Sequence, residues 1–217
     1  MSEQKRVSPV RALRDLVPGE AWEALTRFPH RKHCAGDILL RQGDPGTHVL
    51  ALIQGMVKVV ITEAEGKERV LAFRGPGEAL GEMAVQDGGG RLADVRAISD
   101  CEVAIVPAAA FRDFVKQHDL ADQLTAYAVS RVREQVETRE GDIDHRLAVT
   151  LVRLVEISGT HTFALTREEL AQRLGVSRYS VTKALARLGP AVRAGRTCID
   201  VLDTDSLRTE STTRASA

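Results

Sequence analysis

Apolar positions along this chain change period twice. Between residues 33 and 107 they sit in short β-branched runs at 37–41, 48–54, 56–62, 69–74, 94–98 and 101–106. The runs are separated by Gly43-Asp44-Pro45-Gly46, Gly55, Glu65-Gly66-Lys67, Pro76-Gly77 and Gly88-Gly89-Gly90. Short strands at close spacing with glycine turns predict a small antiparallel barrel or jelly roll. Outside that region the helical period rules. Residues 10–16 and 21–28 read as short helical pieces broken by Pro18-Gly19, with Trp22, Leu25 and Phe28 packing them down. Residues 108–118 put Phe111, Phe114 and Val115 on one helix face.

Residues 119–139 form a longer helix with Leu120, Leu124, Ala128, Val132 and Val136 every fourth position, flanked by Tyr127 and Arg131. Such a stripe either docks on its own domain or packs on a copy of itself. The helix lies between two domains, which points to the copy, a homodimer seam. Gly141-Asp142-Ile143-Asp144 interrupts the pattern. Asp144 is then expected to cap a helix over 146–158, with Leu147, Leu151, Leu154 and Val155 inward and Gly159 as its stop.

Residues 166–188 predict two helices joined by a tight turn. Thr166 and Glu169 make a capping box, and Leu170, Ala171 and Leu174 share a face. Gly175 ends the first helix and Ser177 caps the second, whose inner face is Val181, Ala184, Leu185 and Leu188. A short strand at 162–165 and a hairpin at 192–203, with Ala194-Gly195 at its tip and Cys198, Ile199 and Val201 in its second strand, complete a winged helix-turn-helix. Residues 1–9 are polar and expected to be loose. Residues 204–217 are rich in Ser and Thr and expected to be disordered.

The second helix of the pair leaves Arg178, Tyr179, Thr182 and Lys183 outward, beside Ser177 and Ser180. Arginine can bond two acceptors of a guanine, and Ser hydroxyls at a helix N-terminus suit phosphate. An ordinary helical hairpin with a solvated face fits the same pattern. Charge separates the two readings: from Thr166 to Arg196 there are seven Arg and Lys against two acids, a net of +5 in a chain of net zero. Basic charge gathered on one module marks nucleic-acid binding, with double-stranded DNA the expected partner. Thr166 and Arg196 flank the candidate surface. Aromatics make up only 4% of the chain, which disfavours base stacking on single strands.

Cys34, Cys101 and Cys198 are odd in number and widely spaced, which disfavours a disulfide framework or a metal site and suits reduced thiols in a cytoplasmic protein. No run approaches about eighteen apolar residues, so no membrane span is expected. About seventy residues follow Asp144 and hold no nucleophile–base set, which argues against a C-terminal enzyme under control of the barrel. A ligand-binding module whose hairpin contacts protein is a further alternative, disfavoured by the basic cluster.

One barrel segment carries candidate chemistry: Gly81-Glu82-Met83-Ala84, then Gly88-Gly89-Gly90-Arg91-Leu92-Ala93. A glycine before a helical turn exposes N–H groups, and an arginine ten residues on can fork onto a phosphate. Spacing alone reads it more simply, as a glycine-rich surface loop with a Glu82–Arg91 ion pair.

The order of barrel, long helix and winged helix-turn-helix resembles the cyclic-AMP receptor protein and fumarate–nitrate reduction regulator superfamily of bacterial transcription factors. The likeness covers about residues 22–201. It rests on Gly36-Asp37, Gly43, Gly55, Pro76-Gly77-Glu78, Gly81-Glu82, Arg91, Ala93, Val95-Arg96-Ala97, Cys101-Glu102-Val103-Ala104, Phe111-Arg112, Thr166-Arg167, Glu169, Gly175 and Ser177-Arg178. The resemblance implies an α+β chain. It comprises an N-terminal helical segment (1–32), a jelly roll of cyclic-nucleotide-binding type (33–118), a dimerisation helix (119–141), a winged helix-turn-helix (142–206) and a tail (207–217). It implies a homodimer on DNA, RNA polymerase as a partner, and a cyclic nucleotide or other small effector, none of them an obligatory cofactor. By resemblance Glu82 holds a ribose hydroxyl and Arg91 a cyclic phosphate, with Gly81, Met83, Leu92 and Ala93 around them.

Departures from the family pattern bear on the effector. Leu92 stands where a small hydroxyl residue also bonds the phosphate. Gln135 and Val136 stand where a Thr-Ser pair meets adenine. The stretch from Glu134 to Arg146 is shorter than the family pattern by about four residues. In the recognition helix an Arg–Glu pair becomes Arg178-Tyr179, and a second arginine becomes Lys183. No cysteine set matches the iron–sulfur members. The expectation is a DNA-binding regulator with a weak or absent response to cyclic AMP.

Overall fold

The structure, a computed structural model, describes residues 11–213. They divide into two compact units, residues 11–132 and 133–213.

The first unit holds α1 (Gly19–Thr26), β1 (His30–His33), β2 (Ile38–Leu40), β3 (His48–Gln54), β4 (Val57–Thr62), β5 (Glu68–Arg74), β6 (Ala79–Leu80), α2 (Glu82–Asp87), β7 (Asp94–Ala97), β8 (Cys101–Pro107) and α3 (Ala108–Gln117), followed by most of α4 (Ala121–Glu137). Two four-stranded antiparallel sheets, β1-β8-β3-β6 and β2-β7-β4-β5, make the jelly roll. Strand β3 explains how it packs. Successive side chains point to opposite faces, so Leu50 and Leu52 join Val57, Leu80, Val95 and Val103 between the sheets. Val49 and Ala51 turn outward under Trp22, Leu25, Phe111, Leu120 and Tyr127. A strand buried on both faces loses its alternation and reads as one apolar run.

Six expectations are corrected here. The jelly roll begins at His30, because β1 pairs with β8 (His30↔Ala104, His33↔Cys101). Its sequence His-Arg-Lys-His is mostly exposed and carries no apolar alternation. The first helical piece is only a 3-10 turn at Leu13–Asp15. The stripe on α4 is rotated: Leu120 and Tyr127 belong to the unit's own core, Leu124 packs partly against it, and Arg131 is buried. Ala128 is half-buried. The exposed apolar face is Val129, Val132 and Val136, with Val132 65% exposed.

In the second unit, α5 (Ile143–Ser158), α6 (Arg167–Leu174) and α7 (Arg178–Arg187) pack with a three-stranded sheet ordered β10 (Val192–Ala194), β11 (Ile199–Val201), β9 (Thr162–Phe163). The fourth correction is α8 (Thr204–Thr213), a helix where a disordered tail was expected. Asp203 caps it by accepting from Ser206 N at 2.9 Å, and Leu207 is buried. Residues 1–10, with the loose N-terminal stretch, and 214–217 lie outside the described residues. The cap of α5 also differs: Asp142 accepts from His145 N at 2.9 Å. Asp144 is freed to accept from Arg187 at 2.6 and 2.5 Å. Cys198 lies just before β11 rather than in it.

Candidate nucleic-acid interface and effector loop

The helix pair is built by its caps. Thr166 accepts from Glu169 N at 3.2 Å, and the Glu169 carboxylate accepts from Thr166 N at 2.7 Å, closing the capping box. Gly175 takes the left-handed conformation at φ 65° that ends α6. Leu170, Ala171 and Leu174 of α6 and Val181, Ala184 and Leu185 of α7 are buried, with Leu188 half-buried. Ser177 then caps α7, accepting from Ser180 N at 3.1 Å. The outward face carries Arg178, Tyr179, Thr182 and Lys183, all exposed. Tyr179 is 66% exposed, and the Lys183 ammonium stands 4.6 Å from its ring centroid. That contact orients the lysine along the helix face. Arg196 is exposed on the hairpin tip between β10 and β11, and Thr166 is half-buried with its hydroxyl engaged in the capping box.

The effector loop is also shaped by glycine. Gly81 holds φ 80° at the start of α2, and Gly88 holds φ 73° at its end. A Cβ on Gly81 would meet Arg91 Nη1 at 2.1 Å, so only glycine admits the arginine. Arg91 is 5% exposed. Its Nη1 donates to the Gly81 carbonyl at 2.5 Å and its Nη2 to the His48 carbonyl. The guanidinium thus rests on backbone carbonyls, not in the Glu82–Arg91 ion pair that spacing suggested. Burial lowers its pKa, opposed by the charges of Glu82 and Asp44. Glu82 opens α2 and keeps part of its surface in solvent, yet desolvation of its carboxyl raises its pKa. Its own N–H and the charges of Arg131 and Arg74 pull the other way, and Glu78 adds to the rise. Leu92 is 60% exposed and Met83 is exposed, while Ala93 is half-buried. Gln135 is half-buried on the part of α4 that belongs to the second unit.

Two buried ionic clusters escaped the sequence reading. In the first unit Glu78 accepts from the Tyr127 hydroxyl and from Arg131, with Arg74 Nε 3.9 Å away. In the second unit Glu134 lies 3.4 Å from Arg173 and 3.6 Å from Arg153. Arg173 also donates to Thr138 Oγ1 at 2.8 Å, and Arg146 Nε to the Thr138 carbonyl at 2.9 Å. Charged residues on exposed-looking helix patterns give no sequence signal for such pairing. Only Glu78 could have been suspected, through its place in the matched Pro76-Gly77-Glu78.

A jelly roll with a glycine-framed arginine, followed by a winged helix-turn-helix with a basic outer face, defines an effector-domain transcription regulator. Residues 30–118 match the cyclic nucleotide-binding domain and residues 145–210 the Crp-like helix-turn-helix domain. The chain is 31% identical to the cyclic AMP receptor protein of Thermus thermophilus, across 86% of this chain and 89% of that protein. It is 30% identical to the cAMP-activated global transcriptional regulator CRP of Escherichia coli O157:H7, across 72% of this chain and 80% of that one. A crystal structure of a CRP/FNR-family transcriptional regulator from T. thermophilus superposes with a TM-score of 0.67 at 26% identity, covering 86% of this chain and all of that one. The chain belongs to the CRP/FNR family of DNA-binding transcription regulators.

Proposed function

We propose that this protein acts as a homodimer on an inverted-repeat DNA site and that cyclic AMP changes its binding weakly or not at all. The observation that carries the DNA half is the face of α7, where Arg178, Tyr179 and Lys183 stand exposed within the basic stretch 166–196. Arg178 is assigned to a base edge, and Ser177, Ser180, Thr166 and Arg196 to the flanking phosphates. Two such helices related by a two-fold axis read half-sites about 34 Å apart. The seam is assigned to Val129, Val132 and Val136, which recur at the i, i+3, i+7 spacing of a coiled-coil stripe. RNA polymerase as a partner and a cytoplasmic setting follow from the same reading. The Escherichia coli relative is named as a global transcriptional regulator, which weighs against the enzyme alternative.

The effector half rests on what the loop keeps and lacks. Arg91 already commits two of its five N–H donors to backbone carbonyls. Leu92 offers no hydroxyl, and Val136 cannot bond an adenine. Losing two neutral hydrogen bonds at about 1 kcal/mol each weakens binding about thirtyfold. An effector switches a protein only by its differential affinity for two states. Contacts from the dimer helix are the natural source of that difference. The last turn of α4 is bonded through Glu134 and Thr138 into the DNA-binding unit, which supports a fixed arrangement of that turn. A cyclic-AMP-dependent regulator is the second reading, favoured by the retention of Glu82 and Arg91. Selection of duplexes from a random pool by the wild type, followed by anisotropy titration of wild type and Arg178→Ala, tests the DNA half. The expected result is an inverted repeat bound by the wild type and lost or relaxed in the variant.

A further inference from the structure

The DNA-binding unit carries an arginine that neither the base-edge face nor the phosphate contacts account for. Arg167 is the first residue of α6. A cation there faces the positive end of the helix dipole, so its own helix does not favour it. Its guanidinium forks across the unit instead: Nη1 donates to the Gly195 carbonyl at 2.6 Å and Nη2 to the Ala194 carbonyl at 2.8 Å. Those two carbonyls form the tip of the hairpin between β10 and β11.

The base of the hairpin is anchored, since β11 also pairs with β9 (Ile199↔Phe163, Asp200↔Thr162) and Val192, Ile199 and Val201 are buried, but the tip lies beyond those ties. The hairpin ladder is three residue pairs long, from Val192↔Val201 to Ala194↔Ile199. Beyond Ala194 the tip is closed by Gly195 N donating to the Cys198 carbonyl at 2.9 Å. A ribbon this short has marginal stability of its own. Arg196, exposed, is the next residue.

We propose that Arg167 is a positioning residue for DNA binding: it clamps the wing tip so that Arg196 is held in place for a phosphate. The inference rests on the DNA-binding reading and adds a residue and a role to it. The clamp needs a planar fork that meets two adjacent carbonyl oxygens at once, which arginine has and lysine lacks. Without it, the tip must be ordered during binding, and ordering one such segment and its side chain weakens affinity by about three- to tenfold.

The test is a double-mutant cycle on a duplex selected from a random pool by the wild type. Affinity is titrated for the wild type, Arg167→Ala, Arg167→Lys, Arg196→Ala and Arg167→Ala/Arg196→Ala, each checked for an unchanged melting temperature. Arg167→Lys keeps the charge, and it carries the test if Arg167→Ala melts early. The expected result is that both Arg167 variants lose about three- to tenfold, and that the double variant binds no worse than Arg196→Ala alone. Full rescue by lysine, or losses that multiply in the double variant, would show that Arg167 acts as a charge on DNA directly and overturn the clamp. A wild type that selects no duplex overturns the DNA-binding reading as well, which separates the two failures.

Discussion

Inside the first unit the Tyr127 hydroxyl of α4 donates to the carboxylate of Glu78, which also accepts from Arg131, itself 4.0 Å over the Tyr127 ring. Glu78 is 3% exposed and Tyr127 1%. The middle of α4 is therefore fastened to the turn that precedes the effector loop by a buried polar cluster. Breaking a buried ion pair leaves an uncompensated charge, so Glu78→Ala should cost about 3–5 kcal/mol. Tyr127→Phe removes one hydrogen bond and should cost about 1–3 kcal/mol. Trp22, the single tryptophan, sits in the same unit and reports its unfolding in urea. Equal, small losses from both variants would contradict the cluster's role.

The exposed α4 stripe predicts a clean separation of assembly from folding. Val132→Asp should yield a folded monomer, because Val132 is exposed in the single chain. Leu120→Asp should instead unfold the first unit, because it buries a carboxylate in that unit's core. Sedimentation equilibrium at micromolar concentration with circular dichroism distinguishes them. A dimeric Val132→Asp protein would place the seam elsewhere.

Arg178→Ala should weaken operator binding by about 1–3 kcal/mol and relax preference at one symmetric pair of base pairs. Selected-sequence profiles of the wild type and variant check this. An unchanged profile would remove Arg178 from base readout.

Glu82 predicts a pH signature. Burial raises its carboxyl above the ordinary 4.5. Its stabilising contribution is thus fully present below the unfolded value and is lost as pH rises through the folded one. Glu82→Gln lacks this titration. Relative to the wild type it should gain melting temperature as pH rises above the ordinary carboxyl value of 4.5. A gap that stays constant with pH would mean the carboxyl is not desolvated.

Much of the fold was legible because local and global signals agreed. The caps at Thr166, Gly175 and Ser177 were readable residue by residue, and the run at 48–54 is β3 with the same ends. What was missed has physical causes. Strand β1 is held by β8 and not by its own pattern, so its charged sequence gave nothing to read. Helix α8 owes its place to a single buried leucine, Leu207, and a cap at Asp203 within a polar stretch. The stripe on α4 was misplaced because a four-residue spacing and the i, i+3, i+7 spacing of Val129, Val132 and Val136 share residues. Only packing told the faces apart. At the effector loop, Glu82 and Arg91 could be named, but the turn of the guanidinium onto the His48 and Gly81 carbonyls depends on backbone brought from β3.

The central claim is a regulator that binds DNA without needing cyclic AMP. Its most direct test is operator affinity of nucleotide-stripped protein, titrated with and without micromolar cyclic AMP, for wild type and Arg91→Ala. The account predicts binding without nucleotide and a change of less than about tenfold on its addition. A gain of about tenfold or more that Arg91→Ala abolishes would contradict it.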